Sequence, residues 1–347
     1  MKKILITTLI LALCAISAFS FFGCKKGVES ITIAVPDGGP ALGMSYLMKD
    51  FPDTIDGVKV TYKIVDGANG IKAAVSSGEA DVAIMPTNMA AILYNGGLDI
   101  KLVATNSYGL LYLLSDLTTK DEFNLSMLNN QVLNTVGKGG TPEIVLKKIL
   151  ESASIEYVES DVPVEGKVAL KFHDDGKTII AGLKQGKIHY AILGEPAVST
   201  AMTQVGDLNI VLDMQVAWKS ATNTDASYPQ TALVAKGSLI ELDEKLVQKI
   251  AKLTFEGSVK LAEDAAPYIA ELQAREATVP AVFGAAGVAR TNISPEFGKK
   301  AKSDVEAYFT ILLAFKAPLI GGKLPDDGFY YLNDEFESNM SAIKAFA

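Results

Sequence analysis

The chain has 347 residues, 49% of them apolar and 21% charged, which describes a folded protein long enough for two core-bearing domains. Its 40 Asp and Glu outnumber 32 Lys and Arg, giving a formal charge of −8, and no basic cluster larger than a Lys pair interrupts it. That balance excludes the phosphate backbone of a nucleic acid as a partner.

Met1-Lys2-Lys3 followed by an apolar run over 4–22 reads as an export signal. It ends in Phe21-Phe22-Gly23-Cys24, and a small residue directly before a Cys resembles a bacterial lipobox. Residues 1–23 are then a signal peptide, Cys24 is the lipidation site, and 24–30 is a lipidated tether. The alternative is an uncleaved anchor helix, which 19 residues just allow but which gives the Cys no role. Loss of Lys2 and Lys3 takes the formal charge from −8 to −10, and loss of Cys14 leaves Cys24 as the last Cys. Beyond Cys24 neither disulfides nor thiol catalysis is available.

The body reads as alternating strands and helices. A β-branched strand at 31–35 is broken by Pro36-Asp37-Gly38-Gly39-Pro40, and a helix follows at 41–51. A strand at 58–65 and the turn Gly67-Ala68-Asn69-Gly70 lead to a helix at 71–77. A strand at 82–85, the turn Pro86-Thr87-Asn88, a helix through Tyr94 and a strand at 100–105 complete the unit. The plan then repeats, with a strand at 133–136, the turn 137–142 and a helix at 143–151. A strand at 156–164, a turn and helix at 174–184 and a strand at 190–193 follow.

The repeat is visible residue by residue. At an offset of 108, Gly78 matches Gly186, Ala83 matches Ala191 and Asp81 matches His189; at an offset of 101, Gly38-Gly39 match Gly139-Gly140. Two copies of this length predict an α/β protein of two similar lobes, each a mostly parallel sheet with helices on both faces. The apolar runs 108–115 and 228–236 flank the second copy and are expected to cross as a two-strand hinge. Lobe I is then 31–115 plus 228–347, and lobe II is 116–227. Long amphipathic helices at 242–262 and 295–315 are expected to cover the core.

Ligands of open parallel sheets bind at the carboxyl ends of strands beside helix N-termini. The turns there nominate Asp37, Gly38, Gly39, Asn69, Thr87, Asn88, Tyr108, Gly139, Gly140, Thr141, Glu195, Tyr228 and Gln230 as ligand-binding residues. Tyr46 and Trp218 are further stacking surfaces. No Walker spacing and no Gly-x-Ser-x-Gly elbow occurs, and two histidines make no zinc set, so no catalytic residue, metal or cofactor is expected. The only arginines, Arg275 and Arg290, lie outside the strand-end turns. That favours a planar, neutral or weakly basic organic ligand, with Glu195 and Asp37 accepting from its amines, over a small anion. The alternative for Glu143 and Glu195 is that they merely stabilise the first turns of their helices.

Gly78-Glu79-Ala80-Asp81-Val82-Ala83-Ile84, Gly139-Gly140-Thr141-Pro142-Glu143, Ala191-Ile192-Leu193-Gly194-Glu195-Pro196, Tyr228-Pro229-Gln230 and the tail 320–327 together carry a family resemblance. They resemble the SsuA/THI5-like (NMT1-like) solute-binding lipoproteins of ABC transporters, over nearly all of 29–335. The resemblance implies a type II periplasmic-binding fold that closes on a small-molecule solute. It also implies a monomer, held to the membrane by its N-terminal lipid on the extracytoplasmic side, that delivers the solute to a permease and its ATPase. Pyrimidine or thiamine precursors fit the residues best, and sulfonates, taurine or nitrate are the family's alternative ligands. Enzymes on the same fold, pyrimidine-precursor synthases and menaquinone-pathway dehydratases, are the rival class, as is an adhesin or sensor lipoprotein.

Overall fold

The computed structural model describes residues 27–280 and 283–345. The export signal and Cys24 lie outside the described residues. Among the described residues no helix is long and apolar enough to cross a membrane.

The first copy folds as β1 (Ser30–Pro36), α1 (Gly39–Asp50), β2 (Thr54–Ile55), β3 (Val58–Val65), α2 (Gly67–Ser76), β4 (Val82–Pro86), α3 (Thr87–Asn95) and β5 (Ile100–Ser107). The second gives β6 (Leu111–Ser115), β7 (Val132–Val136), α4 (Thr141–Ser152), β8 (Tyr157–Glu159), β9 (Val168–His173), α5 (Gly176–Lys184), β10 (Tyr190–Gly194), α6 (Ala197–Gln204), β11 (Asn209–Asp213) and α7 (Met214–Thr222). The chain then adds β12 (Thr231–Lys236), α8 (Gly237–Leu242), α9 (Glu244–Glu263), α10 (Ala266–Ala274), α11 (Ala285–Ala289), α12 (Gly298–Lys316) and α13 (Asp334–Lys344).

Two six-stranded sheets result, ordered β2-β3-β1-β4-β12-β5 and β11-β6-β10-β7-β9-β8. In each, the central strands are parallel and one interior strand runs against them: β12 in the first sheet, β6 in the second. The reason is topological. Both strands follow a crossing made at the carboxyl ends of the other strands, so each enters its new sheet from that end and must run backwards.

The chain crosses between the sheets twice, at the expected runs, but over shorter segments than expected. The run 108–115 is not one crossing strand within lobe I: β6 lies wholly in the second sheet, and only 108–110 cross. Likewise β12 lies wholly in the first sheet, and the return crossing is the segment up to Gln230. A second correction concerns 156–164. The sheet's inner partner for β7 is β9, which the sequence reading missed, while β8 is a three-residue edge strand. Val168 and Leu170 face the core, and Lys171 and His173 on the opposite face blur the apolar signal.

The ladders fix the repeat more tightly than the sequence match. Ala34 pairs with Lys63 on one side and Ala83 on the other; Asn134 pairs with Lys171 and Ala191. Lys63 to Lys171 and Ala83 to Ala191 keep the offset of 108. Ala34 to Asn134 is 100, one less than the glycine match, because the second glycine pair comes one residue later after its strand.

One core cluster runs through both lobes, from Met85 and Ala232 in the first sheet to Leu133 and Ile192 in the second. A second belongs to the first sheet, where Ile31, Ile33 and Val35 meet α1, α9 and α10. Helix α9 buries Leu246, Ile250, Leu253 and Leu261 along one stripe. It crosses α1 at Gly257, where a Cβ would lie 2.8 Å from the Tyr46 Cβ, so glycine sets the approach of the two helices.

Candidate functional site

The strand-end turns of the two sheets face each other and touch. Gly38 holds φ at 91°, and Gly39 backs onto the second lobe: a Cβ there would sit 3.2 Å from the Glu195 carbonyl oxygen and 3.5 Å from the Leu110 side chain. This glycine pair is needed both for the turn and for the close approach of the lobes.

Buried polar groups also meet where β4 ends and β12 begins. Thr87, the first residue of α3, is completely buried. Its N–H donates to the Gln230 carbonyl at 3.1 Å, yet its hydroxyl has no hydrogen-bond partner among the described residues. The side-chain oxygens of Gln230 and Ser227 are equally buried and unpartnered. Folded proteins pair nearly all such groups, so these oxygens on adjacent stretches of chain keep unused hydrogen-bonding capacity.

Aromatic rings join the lobes beside it. Trp218 on α7 meets Tyr228 at 5.5 Å and Tyr308 of α12 at 5.9 Å, both edge-on. The Thr141 hydroxyl lies 3.3 Å from that of Tyr308, whose pKa burial pushes up to about 12 despite the Thr141 contact. The rings expected to stack on a ligand thus stack on each other. Tyr228 is fully buried and donates to Gln215 Oε1 at 2.6 Å; Tyr46 packs against Phe51 and Tyr268. Tyr108 sits in the crossing, where its hydroxyl donates to Asp304 Oδ2 at 2.7 Å and accepts from Thr105 at 3.0 Å. Burial raises its pKa, as does the neighbouring Asp304 carboxylate, while the Thr105 contact opposes them.

Several nominated polar groups also prove committed elsewhere. Asp37 accepts from the Thr278 N–H at 2.7 Å and from the Thr278 hydroxyl. Asn88 donates to the Leu319 carbonyl at 3.2 Å, and the Gly139 N–H donates to Glu143 at 2.5 Å. Gly140 is bonded back to the Gly137 carbonyl, and Asn69 is exposed on the first turn of α2.

Glu195 requires the plainest correction. Its side chain is wholly buried, and both oxygens are taken. Ser199 N–H and Oγ donate to it at 3.1 Å each, and Arg290 Nε donates to Oε1. Of the two expectations for this carboxylate, acceptor of a ligand's amine or stabiliser of its own helix, the structure shows the second: it binds the first turn of α6, and it also holds Arg290. Arg290, which sequence reasoning set aside, is brought to Glu195 and Ser199. It follows no strand; the stretch containing α11 carries it across, where the Arg290 carbonyl accepts from Tyr112 at 3.0 Å and Asn292 donates to the Gly109 carbonyl at 3.0 Å. A bond between residues 95 positions apart leaves no local signal.

The outer part of the cleft is a cavity of about 590 Å³. Asp37, Asp66 and Asp175 line it against one cation, Lys177, with Ile180, Pro196, Val279 and Pro280 among its apolar walls. Asp175 accepts from the Thr178 N–H at 2.8 Å, which lowers its pKa. Among the described residues no group of His, Cys, Asp and Glu is arranged to hold a metal.

No protein-family model matches the chain, and no curated protein matches it. Solved structures do. An ABC transporter protein from Parabacteroides distasonis superposes with a TM-score of 0.74 at 24% identity, over 88% of this chain and 100% of that one. The periplasmic aliphatic sulphonate binding protein SsuA from Escherichia coli gives 0.62 at 15% identity, over 84% and 94%. The ligand-binding component of an ABC-type import system from Staphylococcus aureus, solved with zinc bound, gives 0.60 at 13%, over 89% and 98%. At these identities the likeness establishes architecture: the chain has the two-lobed α/β fold of the periplasmic binding proteins.

Proposed function

We propose that the chain is the solute-binding component of an ABC importer. It acts outside the cytoplasm, anchored through a lipid on Cys24, and captures a small organic solute between its lobes. The closed monomer then presents the solute to a membrane permease driven by an ATPase. The observation that carries this reading is the pair of unpartnered buried oxygens on Thr87 and Gln230, at the strand ends where the two lobes meet. The carboxamide oxygen of Gln230 only accepts, so it favours a solute with N–H or O–H donors.

Charge supports a neutral or weakly basic solute, of the kind a pyrimidine or thiamine precursor represents. Arg290, the arginine that reaches Glu195, is already neutralised by it, and the outer cavity holds three carboxylates against one lysine. A sulfonate or nitrate is the second reading. It draws on the N-termini of α3 and α4, where helix dipoles favour negative charge. A thermal-shift screen of aminopyrimidines, thiamine, flavin-like rings, sulfonates and nitrate separates the two. Stabilisation by the nitrogen heterocycles is expected; stabilisation by the anions alone would overturn the preference.

A further inference from the structure

The match of Asp81 with His189 leads to a second site, away from the cleft. In lobe I the outer face beside α2 is closed by charge pairing: Lys63 binds Glu79, and Lys236 donates to Asp81 at 2.6 Å. The ladder equivalences carry these positions into lobe II. Lys63 becomes Lys171, Glu79 becomes Lys187 and Asp81 becomes His189. The partner of His189 is Asp116, 3.0 Å away at the end of β6, where lobe I has Lys236 at the end of β12. One copy places opposite charges where the other places two lysines.

Those lysines line a cavity of about 700 Å³ under α5, reaching the ends of β7 and β10 that point away from the cleft. We propose that this cavity is a second binding site, for a small organic anion. Among the described residues Asp161 is the one carboxylate that lines it, with Asp116 held against His189 behind; Asp161 lies 3.6 Å from Lys171 and its side chain is 79% exposed, so it leaves the ammonium free to donate elsewhere. Lys187 has no ion pair among the described residues. The floor is ordered: Asn134, 3% exposed, donates to the Tyr190 and Val132 carbonyls, so its oxygen accepts from His173 Nε2 at 2.8 Å. That fixes the tautomer of His173 and leaves Nδ1 as an acceptor for a donor group on the anion. Burial, then the neighbouring Lys171, lowers the pKa of this imidazole, against Asp161, Asp174 and Asp175, which raise it. Like charges sharing a cavity repel, and an oxyanion between them turns that repulsion into attraction. The volume lies within the range of small-molecule sites.

His173 and His189 are the protein's only histidines and both line the cavity, so proton NMR of their C2–H resonances reads the site directly. Inorganic phosphate is titrated into the intact chain at fixed pH, replacing chloride at constant ionic strength. Saturable shifts of both resonances are expected, weakened by about tenfold or more in Lys187→Glu, which restores the charge pattern of lobe I. Lys171→Gln is expected to do the same, and because Lys187 is exposed its variant keeps the fold. Shifts that grow linearly without saturating, or saturable shifts unchanged in both variants, overturn the proposal.

Discussion

Replacing Thr87 by Val should move stability and binding in opposite directions. Val keeps the shape of Thr and removes only the hydroxyl, which is buried with no partner. A buried polar group left unpaired costs about 1–3 kcal/mol relative to one that is satisfied. The solute-free variant should therefore unfold in urea at equal or higher midpoint, more stable than wild type by up to about 1–2 kcal/mol. Solute binding loses one buried hydrogen bond, worth about 0.5–1.5 kcal/mol, and affinity measured by calorimetry should fall by roughly threefold to tenfold. A structural hydroxyl would give the reverse pattern. Destabilisation by more than about 1 kcal/mol with unchanged affinity would refute the reasoning.

Other consequences follow from the same geometry. Arg290→Ala strips the wholly buried Glu195 of its cation and should destabilise the protein by about 2–4 kcal/mol in urea unfolding, somewhat less than a fully buried pair because Arg290 is 22% exposed. The double variant with Glu195→Gln should recover part of that loss, and strict additivity would argue against the pair. Burial would raise the Glu143 carboxyl, but Lys147 and the Gly139 N–H outweigh it and hold the pKa below the ordinary 4.5. Its folded value is thus depressed, so its stabilisation is complete above pH 4.5 and lost as pH falls through the folded value. Glu143→Gln should consequently be less stable than wild type at neutral pH, with the gap closing in acid; a gap independent of pH would contradict this. Cys24→Ser should abolish incorporation of labelled fatty acid in a bacterial host and release the protein from the membrane fraction, and labelling that persists would remove Cys24 as the anchor.

Much of this architecture is written locally. Strand–turn–helix units repeat because each must present one apolar stripe to a sheet, and Gly38-Gly39 and Gly139-Gly140 mark turns that follow strands in both copies. Where the reading failed, the information was not local. The run 108–115 is uniformly apolar, so nothing in it shows that the chain changes sheets at 108–110. Strand β9 hides because its outer face carries Lys171 and His173 beside a cavity, an exception to apolar alternation that has a functional reading of its own. The site was legible as a set of turns but not as a set of partners. Glu195 reads as an open carboxylate until Arg290 arrives from 95 residues away, and the rings of Trp218 and Tyr228 read as stacking surfaces until Tyr308 covers them. Thr87 and Gln230 were nominated for lying in polar turns; what distinguishes them, an oxygen without a partner, is a property of the packed structure.

Native mass spectrometry tests the central claim most directly. The wild-type protein and Thr87→Val are incubated with a small-molecule extract of cells, desalted and sprayed under non-denaturing conditions. The account predicts one nitrogen-bearing, non-anionic organic molecule per wild-type chain and a reduced occupancy in the variant. A wild-type chain that retains no molecule, or retains only a sulfonate or nitrate, contradicts it.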